Sequence, residues 1–158
     1  MTGYDTGLIT RTVAITGTRN TGHRSLGDYA EVFHDYLGPF ADSAHFYIGG
    51  ARGIDSLSLL WLADETEADI TVVVPGTVDQ QPTDARDAIK HCRERVTEIV
   101  ELGARELTTA AYHARNRWLV DRTSMTIGFP HQDEPASGTW QTLNYAADMG
   151  KPRLIVPV

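Results

Sequence analysis

Short β-branched runs alternate with helix-period segments along this chain, and that alternation restricts the fold more than any other feature. The run Ile70 to Val74, closed by Pro75-Gly76, is apolar at consecutive positions. A strand with one wet face alternates apolar and polar residues, so an unbroken run such as Val72-Val73-Val74 belongs to a strand covered on both faces. Sheets covered on both faces by helices are parallel sheets built from β–α units. The sequence therefore predicts an α/β fold: a Rossmann-like, doubly wound, mostly parallel sheet of about six strands with helices on both faces.

The elements follow in order. Val13 to Ile15 reads as a first strand ending at Thr16-Gly17-Thr18. Ser25 is placed to cap a helix that turns Leu26, Tyr29, Val32, Phe33, Tyr36 and Leu37 inward and stops at Gly38-Pro39. His45 to Ile48 is a second strand ending in Gly49-Gly50, and a helix follows from about Gly53 through Ile54, Leu57, Leu60 and Trp61. After the Ile70 strand and a loop over residues 80–83, apolar residues from Ala85 to Val100 recur at helical period. These predict one long helix from Asp84 to Leu102, with Gly103 at its C-terminal cap. Arg105 to Leu107 is a short candidate strand. Then come a helix over 110–122, a strand over 125–129, a helix over 138–149 and a last strand over 153–158. Cys92, the one cysteine, falls on an apolar stripe and reads as a small core residue, not a reactive thiol.

A length of 158 residues suits one domain, 1–158, with residues 1–11 as a loose N-terminal extension. The start of the chain has no apolar signal segment and no run reaches membrane-spanning length, so the expected location is the cytoplasm, without membrane attachment. The six histidines and single cysteine show no metal-ligand spacing, and there is no nucleotide-triphosphate Gly-Lys-Ser/Thr loop or Gly-x-Ser-x-Gly elbow. Neither a metal nor a cofactor is expected. The formal net charge of −7 disfavours sequence-independent attraction to nucleic acid unless the basic residues gather on one face.

In open parallel sheets, ligands sit beyond the C-terminal strand ends where strand order reverses. Three segments of this chain fall there with glycine at a strand–helix junction. In Gly49-Gly50-Ala51-Arg52-Gly53-Ile54-Asp55, the glycines and the first helical turn offer free amides to an anion, and Arg52 adds a guanidinium fork. Asp55 reads equally as a helix cap or as a ribose contact. Gly17-Thr18-Arg19 and Ser137-Gly138-Thr139 repeat the arrangement at two other strand ends. On the helix over 110–122, Arg115, Asn116 and Arg117 form a charged triplet, with Arg115 on the side of Tyr112; Arg115 or Arg117 is expected to close the site.

Taken in order, Ala14-Ile15-Thr16-Gly17-Thr18-Arg19, Gly50-Ala51-Arg52-Gly53-Ile54-Asp55, Arg115-Asn116-Arg117, Ser137-Gly138-Thr139 with Thr142 and Ala146, and Ile155-Val156-Pro157 resemble the DprA/Smf Rossmann-like domain of the SLOG superfamily. That resemblance spans nearly the whole chain and implies a Rossmann-like fold and single-stranded DNA binding. A second branch, the LOG-like phosphoribohydrolases, has a motif similar to the stretch from Ser137 to Thr142. Its catalytic glutamate would fall at Gln141 or Thr142, neither of which is acidic, so Asp133 and Glu134 are the nearby carboxylates for catalysis. The reading made from sequence is a homo-oligomeric module that binds a nucleotide-type small molecule as sensor or carrier. Its alternatives are DprA-like binding of single-stranded DNA, otherwise a weak partner, and N-glycosidic cleavage of a nucleoside monophosphate.

Overall fold

The computed structural model describes residues 11–158. The extension expected over 1–11 lies outside the described residues except for Arg11, which opens the first strand. The strands are β1 (Arg11–Gly17), β2 (Ala44–Gly49), β3 (Asp69–Val74), β4 (Glu98–Glu101), β5 (Met125–Phe129) and β6 (Arg153–Ile155). Five α-helices connect them: α1 (Leu26–Tyr36), α2 (Ile54–Glu65), α3 (Thr83–His91), α4 (Thr109–Asp121) and α5 (Gly138–Asp148). The strands form one six-stranded sheet in the order β4-β3-β2-β1-β5-β6. Every pairing is parallel, so the expected mostly parallel sheet is wholly so.

Each face of the sheet has its own apolar layer, because alternate residues of a strand point to opposite sides. Val13, Ile15, Phe46, Ile48, Val72 and Phe129 pack with Tyr29 and Phe33 of α1, Leu59 and Leu62 of α2 and Ile89 of α3. On the other face Ala14, Val73 and Tyr47 meet Leu119 and Trp118 of α4. There α5 sits so close to β5 that a Cβ at Gly128 would lie 2.7 Å from Leu143. Valines at consecutive positions of β3 thus serve both layers, which is why the run lacks polar alternation. Ser25 caps α1 as expected, its Oγ accepting the Asp28 N–H at 3.1 Å.

Four sequence expectations are overturned, three of them near the β4 edge. The long helix over 84–102 does not exist: α3 ends at His91, with buried Cys92 as its C-cap, and residues 98–101 are the edge strand β4. Val96, Ile99 and Val100 fit a helical stripe, but the β-branched stretch from Val96 to Val100 fits an exposed sheet edge equally well, and β3 supplied that edge. Arg95 fixes the break. Its Nε donates to the Ala63 carbonyl at 3.3 Å, and its Nη2 donates to the carbonyls of Thr66 and Ala68 at 2.9 and 3.1 Å. The turn after α3 is thereby tied to the end of α2. Gly103, expected to cap a helix, instead takes φ +80 after β4, where Gly103 and Ala104 donate to the Gly76 and Pro75 carbonyls. Arg105 to Leu107 is not a strand but a connection held by Gln80, whose Nε2 donates to the Arg105 carbonyl at 2.8 Å. The last strand is also shorter than read, ending at Ile155.

Candidate functional site at the strand-order reversal

Strand order reverses between β1 and β5: the chain steps outward from β1 to β4, then returns to β5 on the other side of β1. The connections leaving β1 and β5 therefore diverge at their C-terminal ends and leave a crevice. A cleft of about 310 Å³ occupies it. Thr16, Gly17, Thr18 and Arg19 line it from the end of β1, Ala51 and Asp55 from the start of α2, and Glu134, Ser137, Gly138 and Thr139 from the start of α5. Helix α4 contributes Thr109, Tyr112, His113, Arg115 and Asn116.

The turn after β1 and the turn before α2 are locked together. Gly53 has φ +76, and a Cβ there would lie 2.5 Å from both the Thr18 carbonyl oxygen and the Arg19 Cα. The Ile54 N–H donates to that Thr18 carbonyl at 3.0 Å. Only glycine tolerates both the left-handed backbone and the close approach. Asp55, in the first turn of α2, folds back so that its Oδ2 accepts the Ala51 N–H at 3.3 Å. Across the cleft, Arg115 donates from Nε to Asn116 Oδ1 at 2.9 Å and from Nη1 to the Val73 carbonyl at 3.3 Å.

Asp55 is 7% exposed and Arg115 3%. Burial pushes the Asp55 carboxyl up to about 7, although Arg115, the Ala51 amide and Arg19 pull the other way. Burial likewise lowers the Arg115 pKa, opposed mainly by Asp55. A second charged feature runs from the surface to the floor of the cleft. The Arg19 guanidinium lies 4.3 Å from the centroid of the Tyr112 ring, and that of Arg115 lies 5.6 Å from it, both over the ring. Cations over an aromatic face are held in place while keeping donors free for an anion. Glu134 reaches the same cleft from the far side, its oxygens 3.5 Å from Thr18 Oγ1 and 3.3 Å from Asn20 Nδ2.

Of the residues singled out in the sequence, Gly17, Thr18, Arg19, Asp55, Arg115, Asn116, Glu134, Ser137, Gly138 and Thr139 come together here. Ser137 also caps α5, accepting the Trp140 N–H at 3.4 Å. Gly49, Gly50, Arg52, Gly53, Arg117 and Asp133 do not line the cleft. Gly49 lies beneath Arg115 and Asp55, and Gly50 is packed against Val74 and Ile89. Arg52 is half exposed and pairs with Asp84 at 3.5 Å. Arg117 faces a smaller depression with Gln141 and Tyr145. Tyr112 and His113 were missed as site residues. The signal for Tyr112 was its position three residues before Arg115, on one helix face.

Fold and cleft together define a Rossmann-type α/β module with a polar, two-arginine cleft at its switch point. The family described as DNA recombination-mediator protein A matches residues 2–158, and the chain belongs to that family. The solved structures that share its fold include two DNA processing proteins. DNA processing protein A from Helicobacter pylori, reported for its single-stranded DNA binding mode, superposes with a TM-score of 0.68 at 21% identity, over 99% of this chain and 70% of that one. DNA processing protein A from Streptococcus pneumoniae gives a TM-score of 0.73 at 19% identity, over 96% of this chain and 52% of that one. This chain thus spans about half the length of the second. Comparison with curated proteins gave no match. No described helix is long and apolar enough to cross a membrane.

Proposed function

We propose that this chain binds single-stranded DNA and seats one phosphate-bearing nucleotide of the strand in the switch-point cleft. The observation that carries the reading is the group formed by Arg19, Tyr112 and Arg115: two guanidinium groups held over one aromatic ring, at the mouth and floor of the switch-point cleft. Phosphate binding needs charged donors at fixed positions, and a single-stranded base stacks on a guanidinium plane that an aromatic ring holds in place. Family membership and the DNA-binding relative support the strand as ligand. The cleft volume suits one nucleotide unit, so a free nucleotide is a ligand of the same site; the sensor or carrier role belongs with that smaller ligand.

Fluorescence anisotropy with a labelled oligothymidylate at low salt tests the reading. Wild type should bind, and Arg19→Ala should lose about tenfold in affinity, the effect of one charge-assisted contact. Its melting temperature should not move, because Arg19 is exposed. Equal binding by Arg19→Ala and wild type would remove the cleft from the interface.

A further inference from the structure

Among the described residues, Asp55 and Arg115 are the two charged side chains that are buried, and each lies against Gly49. A Cβ at Gly49 would lie 2.7 Å from Arg115 Cζ and Nη1 and 2.9 Å from Asp55 Oδ2. A bare Cα is what leaves room for the pair. Both side chains also line the cleft. The groups that face Asp55 are the Ala51 amide at the turn before α2, Arg19 from the turn after β1, and Arg115 from α4. Tyr112, His113 and Glu134 line the same cleft. With both carboxylates ionised, Asp55 and Glu134 cancel the charges of Arg19 and Arg115. The cleft then offers donors without net positive charge.

That balance treats phosphates unequally. A phosphodiester within a strand carries one negative charge, whereas a terminal phosphate carries about −1.5 to −2 near neutral pH. A buried carboxylate beside the phosphate-binding arginine repels each added charge with little solvent screening. We propose that Asp55 makes the cleft selective for the monoanionic phosphodiester of a strand over the dianionic phosphate of a free nucleotide, by fixing a negative charge beside Arg115. This rests on the reading of the cleft as the seat of a strand nucleotide. Because burial raises the Asp55 carboxyl to about 7, ionisation and selectivity both increase as pH rises through that value.

The experiment is displacement of a labelled oligothymidylate by thymidine 5′-monophosphate and by its methyl ester, ligands that share base and sugar and differ by one charge. At about pH 8, where the carboxyl is ionised, wild type should be displaced by the ester at roughly tenfold lower concentration than by the monophosphate. In Asp55→Asn that ratio should shrink to within about threefold, chiefly because the monophosphate gains. Oligothymidylate binding with an unchanged ratio in the variant overturns the role of Asp55 and leaves the strand reading intact. Absence of oligothymidylate binding by wild type overturns the strand reading and the selectivity with it. Should Asp55→Asn not fold, calorimetry of the ester in two buffers of different ionisation enthalpy decides. An anion beside Asp55 favours its protonation, so binding near neutral pH should take up protons, per ester bound, in wild type and in His113→Gln. Ester binding without proton uptake in His113→Gln would overturn the proposal.

Discussion

Asp55 and Arg115 couple stability to pH at the scale of single residues. An acid whose folded pKa lies above its unfolded value binds protons more tightly when folded, so its contribution is greatest at low pH. That contribution is lost as pH rises from about 4 through about 7, the folded pKa of Asp55. Asp55→Asn should therefore lack a decline in melting temperature that wild type shows between about pH 6 and 8; parallel curves would contradict the assignment. Removing the partner acts oppositely. Arg115→Ala leaves the buried Asp55 carboxylate without its main compensating charge and frees Asn116 Oδ1, while the Val73 carbonyl keeps the Gly50 N–H, and it should cost about 1–3 kcal/mol at pH 8 by urea denaturation. At this scale the sequence was legible in part. Arg115 stood out as a charge at the edge of an apolar helix face. The partnership with Asp55 was not visible, because the two are brought together by packing across Gly49 and not by any local spacing.

Elements are decided by competition between local period and available partners, and the stretch after α3 shows it. Helical spacing from Ala85 to Val100 was real, but an unfilled sheet edge beside β3 and three carbonyl acceptors for Arg95 outweighed it. Arg95→Met keeps much of the aliphatic stem and removes the donors. It should cost about 1.5–3 kcal/mol and lower hydrogen-exchange protection in β4 before other strands. Unchanged protection in β4 would show that strand pairing alone holds the break. Gly53→Ala should be harsher, since it combines a left-handed backbone with contacts of 2.5 Å to the neighbouring turn. A loss above about 2 kcal/mol is expected, together with loss of oligonucleotide binding, because Thr18 and Arg19 must shift.

Over the whole molecule, net charge opposes the proposed ligand. With a formal charge of −7, long-range attraction to DNA is disfavoured and binding depends on a few local contacts. If the strand engages about two phosphates, through Arg19 and Arg115, the slope of log affinity against log salt should be near −1.4. A slope several times steeper would require a basic track elsewhere on the surface.

Sequence by itself determined the fold class and the three strand ends from which the cleft is built. Both depend on local physics: β-branched runs, capping residues, and glycine at strand–helix junctions. The order of strands and the choice among the site candidates were decided by tertiary structure. Arg52 and Arg19 look alike in sequence, each following a small residue after a strand. Only the crossover to β5 beside β1 puts Arg19 over Tyr112 in the crevice and leaves Arg52 outside it, against Asp84. Proximity across that crossover is a property of how the sheet is wound, and no window of neighbouring residues carries it.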